Sequence, residues 1–144
     1  MNMTGIKVVI DTNVFITFFK RDGINRWMFD KILSGEWILC LTHDIFLEYW
    51  EVLERKTNVN IATTIVDFLL AHPYILLTEN FVKWSLIAAD PDDNKFCDCY
   101  FAASAKYLIS NDKHFNVLRQ VDFPAIALYT SDTIKGLEYK NSGK

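Results

Sequence analysis

The chain has 144 residues and a mass of 16.7 kDa, with 51% hydrophobic, 15% aromatic and 23% charged residues. This size and balance fit one compact domain and exclude disorder and collagen-like order. A domain of this length hides roughly 70% of its extended-chain surface, so it needs neither disulfides nor a structural metal to build a core. Lys plus Arg number 15 against 18 Asp plus Glu, for a formal charge of −3, so no general basic surface exists and any phosphate binding must be local.

Cys40, Cys97 and Cys99 are odd in number and sit in apolar stretches, which points to buried reduced thiols rather than a disulfide framework. A zinc site lacks a second Cys-x-x-Cys half and a nearby His pair. The segment from Met1 to Val9 has no cationic region leading into a long apolar run, so no export signal is expected. No uncharged apolar run approaches the ~20 residues needed to span a bilayer. The expectation is a soluble cytoplasmic protein without membrane partners.

Lys7 to Ile10 is a short β-branched run suited to a strand buried on both faces, with Asp11 at its end. Asn25 to Ser34 carries Trp27, Met28, Ile32 and Leu33 at helical spacing and stops at Gly35. Trp37 to Leu41 reads as the second strand, and Thr42 and Asp44 offer N-cap side chains. Ile45 to Lys56 is an amphipathic helix and Asn60 to Ala71 another. Beyond Pro73, Tyr74 to Leu77 is a strand candidate, and Asp90-Pro91-Asp92-Asp93 opens a helix running to about Ala105.

Tyr107 to Ser110 is a further strand ending in Asn111 and Asp112, a short helical segment holds Phe115 and Leu118, and Ala125 to Tyr129 is the last strand. The alternation argues for an α/β domain with a mainly parallel sheet and helices on both faces. Residues 1–139 read as one domain and 140–144 as a frayed polar tail.

In an open parallel sheet the ligand site lies beyond the carboxyl ends of the strands, where Asp11 and Asp112 both fall. Singly, each is as well explained as a turn or N-cap residue. At about 100° per residue Asp93 shares a helical arc with Phe96, Cys97, Tyr100 and Ser104, whereas Asp98 falls with Asn94 and Lys95 on an arc expected to be solvated. Interaction with the helix N-terminus accounts for one or two of Asp90, Asp92 and Asp93, though not readily for all three. Glu48 borders its helix's apolar stripe and, by spacing alone, is an ordinary surface residue. Carboxylates gathered in one place repel unless they share protons or hold a cation. Oxygen ligands without a His or Cys cluster suit Mg²⁺ or Mn²⁺, which leads towards phosphodiester chemistry.

At four places the chain resembles PIN-domain proteins, specifically the toxin components of bacterial type II toxin–antitoxin pairs. The motifs are Val8-Val9-Ile10-Asp11-Thr12-Asn13-Val14, Leu47-Glu48-Tyr49, Asp90-Pro91-Asp92-Asp93-Asn94-Lys95-Phe96, and Tyr107-Leu108-Ile109-Ser110-Asn111-Asp112-Lys113. The resemblance implies a three-layer α/β/α domain with a five-stranded sheet in the order 3-2-1-4-5 and an acidic pocket over its carboxyl edge. It makes Asp11, Glu48, Asp93 and Asp112 the catalytic and metal-binding acids, Asn13 and Ser110 their hydrogen-bonding supports, and Asp90 and Asp92 alternates for Asp93. The family more often has Thr-Gly-Asp at Ser110-Asn111-Asp112, and often a glycine at Ser104.

The implied activity is Mg²⁺- or Mn²⁺-dependent hydrolysis of RNA by an endoribonuclease, the ion polarising the phosphate and activating water, with a 5′-phosphate and a 3′-hydroxyl as products. Asp11 would be the central ligand, flanked by Asp93 and Asp112, with Glu48 orienting water or ligating directly. Lys20, Arg21, Arg26, Arg55, Lys56, Lys113 and His114 are candidate RNA contacts, each also an ordinary surface group, and His114 is expected to flank the site. The aromatic load, including Phe15, Phe18, Phe19, Trp27, Phe29, Trp50 and Trp84, should be mostly core; part of it would suit an antitoxin protein or a homodimer partner. The alternative from another class is a catalytically silent PIN module whose acidic pocket holds a protein partner's Arg or Lys. An aspartyl-phosphate enzyme is disfavoured because Asn13 stands where that chemistry wants a second acid.

Overall fold

The computed structural model describes residues 4–79, 82–88 and 90–142. Met1 to Met3, at the start of the segment read for an export signal, lie outside them, as do Gly143 and Lys144 of the expected tail.

Five parallel strands, β1 (Ile6–Ile10), β2 (Trp37–Leu41), β3 (Ile75–Leu77), β4 (Tyr107–Ile109) and β5 (Leu128–Tyr129), form one sheet in the order β3-β2-β1-β4-β5. Helices cover both sides: α1 (Thr12–Ile16), α2 (Arg26–Ser34), α3 (His43–Lys56), α4 (Val59–Ala71), α5 (Asn94–Ala102) and α6 (Ser131–Ser142). This is the α/β architecture and strand order expected. Val8, Val9 and Ile10 of central β1 are fully buried, as are Ile38 to Leu41 of β2, because a parallel strand between two helical layers meets apolar groups on each face. The expected aromatic core is present, with Phe15 in edge contact with Phe18 and Phe19 and stacked on Tyr49 at 4.0 Å. The three cysteines are buried free thiols, pushed up to about 11 for Cys40 and about 12 for Cys97 and Cys99 chiefly by burial. Among the described residues no helix is long and apolar enough to cross a membrane.

Local chemistry sets the ends of the elements. Gly35 ends α2 at φ 83°, and a Cβ there would lie 2.7 Å from the Tyr74 ring, so both conformation and space call for glycine. Thr42 caps α3 by accepting from the Ile45 N–H at 3.3 Å. Asp93 lies in a 3-10 turn, Pro91–Asp93, before α5 begins at Asn94, so the expected single helix is a turn followed by a shorter helix.

Asp98, expected on a solvated arc, is only 5% exposed and accepts the Trp84 N–H at 3.0 Å. The segment before the turn lies against that face of α5, where Asn94 accepts the Ile87 N–H at 2.8 Å and donates to the Ile87 carbonyl at 2.9 Å. A helical wheel registers periodicity and cannot show what a neighbouring loop covers. The tail expectation also met structure at its start, since Lys140 to Ser142 continue α6.

Candidate active site

Register brings the first two acids together. Ile10 pairs with Ile109 across β1 and β4, so the next residues, Asp11 and Ser110, emerge side by side at the carboxyl edge. The Ser110 hydroxyl donates to Asp11 Oδ2 at 2.8 Å and accepts the Asp112 N–H at 3.0 Å. One hydroxyl thus touches both strand-end acids. Asn13 instead points into solvent from the first turn of α1, and its side chain makes no hydrogen bond among the described residues. Asn111, which replaces the frequent glycine, bridges to α6: its amide donates to Ser131 Oγ at 3.0 Å and its Oδ1 accepts the Ser131 N–H at 2.9 Å.

Asp11 is 4% exposed, and its carboxyl is raised above the ordinary value, first by burial and then by Glu48 and Asp112, against the opposing Ser110 hydrogen bond. Asp93 is more strongly affected. Its side chain is 13% exposed, and its Oδ2 is buried without a hydrogen-bond partner among the described residues. Burial first, then the charges of Asp90, Asp11 and Asp112, push it up to about 7. The structure therefore brings Asp11, Asp93 and Asp112 into one electrostatic unit.

Asp90, weighed in the sequence as an alternate to Asp93, is its companion. Asp90, Asp93 and His114 each offer a ligand atom, all within 4.8 Å of one another. His114 Nδ1 stands 3.5 Å from Asp112 Oδ1, 3.7 Å from Asp90 Oδ2 and 3.8 Å from Asp93 Oδ2. It belongs to the cluster rather than flanking it, because the Asp112 cap turns the chain back: Asp112 Oδ1 accepts the His114 N–H at 2.9 Å. Asp92, the other alternate, is exposed, and its backbone carbonyl accepts from Lys95 Nζ at 2.9 Å.

Glu48 is held on both oxygens. Thr12 Oγ1 donates to Oε2, and Lys95 Nζ lies 2.8 Å from Oε1. Next to it on α3, the fully buried Tyr49 donates its hydroxyl to the Ile10 carbonyl, which ties the helix carrying Glu48 to the strand carrying Asp11. Sequence reasoning assigned no role to Thr12 or Lys95. Thr12 follows the first acid directly, a position that was a usable signal; Lys95 had none, since its partner lies on another helix. The other expected cations, including Lys20, Arg21, Arg55, Lys56 and Lys113, are exposed.

The α/β domain thus gathers at one sheet edge the carboxylates that follow β1 and β4 and those of the turn before α5. The family model for the PIN domain matches residues 7–114, and the chain belongs to the PIN-domain family. A VapBC2 structure from Rickettsia felis bound to a promoter DNA fragment aligns at TM-score 0.60 and 11% identity, over 87% of this chain and 98% of the matched chain. DNA-bound VapBC from Salmonella typhimurium aligns at TM-score 0.58 and 14% identity, over 88% and 98%. VapBC-1 from nontypeable Haemophilus influenzae aligns at 0.60 and 13%, over 88% and 99%. At these identities the likeness is one of fold. A search of curated proteins gave no match.

Proposed function

We propose that this PIN domain is a divalent-metal-dependent endoribonuclease that acts in the cytoplasm as the toxin of a toxin–antitoxin pair. The observation that carries the reading is Asp93: a buried carboxylate oxygen with no hydrogen-bond partner among the described residues, pressed by three other acids at the carboxyl edge of a parallel sheet and faced only by the His114 ring at 3.8 Å. Such an arrangement is costly unless a cation or protons compensate it. The donor set fits Mg²⁺ or Mn²⁺, and the imidazole of His114 tilts the preference towards Mn²⁺. Asp11, Asp93 and Asp112, with Asp90 and His114 beside them, would hold the ion.

When bound, that ion supplies Lewis acidity for the phosphodiester and for the attacking water. The chain's own residues supply position. Ser110 fixes the orientation of Asp11 and the start of the Asp112 turn, while Thr12 and Lys95 fix Glu48, the remaining family acid, as a hydrogen-bond acceptor for water. The likeness to VapBC toxin–antitoxin structures supports a protein antitoxin as partner, and the family resemblance supports RNA as substrate.

The test is cleavage of an RNA pool by wild type and Asp11→Asn, with Mn²⁺ and with chelator. Wild type should cut only with metal, leaving 5′-phosphate ends, and Asp11→Asn should lose about 100-fold or more of that activity. Cleavage that survives the substitution contradicts the proposal. A folded wild type that cuts no RNA yet binds a basic partner peptide favours the silent binding module.

A further inference from the structure

Both carboxylate oxygens of Glu48 are engaged by this chain's own donors. Thr12 of α1 holds Oε2, and Lys95 of α5 holds Oε1 at 2.8 Å. The Lys95 ammonium is itself seated, donating to the Asp92 carbonyl at 2.9 Å. The pair is shielded, with the Lys95 and Glu48 side chains 18% and 30% exposed, so it is firmer than an open surface ion pair. The ligand atoms of Asp90, Asp93 and His114 lie within 4.8 Å of one another, and Glu48, like Asp11 and Asp112, is not in that group; what sets Glu48 apart is that both its oxygens are taken by Thr12 and Lys95.

We propose that Lys95 is a positioning residue that, with Thr12, holds Glu48 out of the metal's ligand shell, so that Glu48 acts on water and not as a ligand. The proposal rests on reading the acidic cluster as a divalent-metal nuclease site. A direct bond from Glu48 to the ion would require breaking the Lys95 pair and leaving an ammonium unpaired beside a dication, which is electrostatically unfavourable. A carboxylate has about four lone-pair sites, so Glu48 still accepts from water while both protein donors remain in place. The bridge also joins α3 to α5 across the mouth of the site, so the spacing of Glu48 from the helix-opening acids depends on it.

The test follows free Mn²⁺ by electron paramagnetic resonance during titration of the intact protein, which reports binding without any cleavage. Lys95→Met should bind Mn²⁺ at least about fivefold more tightly, because Glu48 becomes free to ligate. The charge-balanced double variant Glu48→Gln/Lys95→Met should bind within about fivefold of wild type, since it removes a pair that contributes no ligand. Lys95→Arg, which keeps a cation for Glu48, should bind as wild type does.

Weakening of about fivefold or more in the double variant would show that Glu48 is a ligand and overturn the proposal. Unchanged affinity in Lys95→Met, or tightening in Lys95→Arg equal to that in Lys95→Met, would overturn it as well. Failure of wild type to bind Mn²⁺ at all contradicts the metal-site reading underneath, a different outcome from these.

Discussion

Asp93 concentrates the energetics of the site in one side chain. Its ordinary value of 3.8 is pushed up to about 7 by burial and by Asp90, Asp11 and Asp112. In the metal-free protein the sign follows from linkage: an acid raised in the folded state contributes stability that is complete below its unfolded value and lost as pH rises through its folded value. Asp11 shifts in the same direction. With chelator present, the melting temperature should therefore fall between about pH 4 and about pH 7, and Asp93→Asn should flatten that fall and melt higher than wild type at the upper pH. Differential scanning calorimetry decides it; a variant that melts lower at both pH values would show that the carboxylate is held by partners and not strained by neighbours.

Ser104 sits where related chains often carry glycine, and it adopts φ 55°, in the left-handed region that disfavours a Cβ. A residue with a Cβ therefore holds this conformation at a cost. Ser104→Gly should stabilise the protein by about 0.5–1 kcal/mol after the extra freedom of the unfolded glycine is subtracted, read as a higher denaturation midpoint. The positions of Asp11 and Asp112 at strand ends were legible because β-branched runs that stop mark such ends in sequence, whereas Ser110 was singled out only through the family resemblance. The Glu48–Lys95 pair and the burial of Asp98 were not legible, because each depends on what packs across from a helix.

At the scale of elements, β2 from Trp37 to Leu41 matches its expected limits, and α3 starts at the Thr42 cap singled out in the sequence. These are places where cap, period and breaker agree. The final helix was not anticipated. Gly136, a weak helix former, falls inside it and its apolar residues are sparse, so the periodic signal is weak. A local signal existed nonetheless: Thr133 N–H donates to Thr130 Oγ1 at 3.1 Å, and Thr130 N–H to Thr133 Oγ1 at 2.8 Å, a reciprocal cap. That helix completes the core, for Ile134 is fully buried. Ile134→Ala should cost about 2–5 kcal/mol in urea unfolding, whereas a value near zero would mean that α6 does not pack as described.

For the molecule as a whole, the sheet order is what converts four scattered acidic motifs into one site. β1 lies between β2 and β4, so the strand carrying Asp11 is flanked by the strand leading to Glu48 and by the strand leading to Asp112. The turn at Pro91–Asp93 then sets Asp90 and Asp93 over the same edge. A net charge of −3 leaves little general attraction for RNA, so under the proposed activity phosphate binding would fall to a cation at this edge. The most direct test is a calorimetric titration of Mn²⁺ into the wild type and Asp93→Asn. Saturable binding by wild type that is weakened about tenfold or more in the variant is the predicted result; binding that is equal in the two proteins, or absent from both, would contradict the claim that these acids are built to hold a cation.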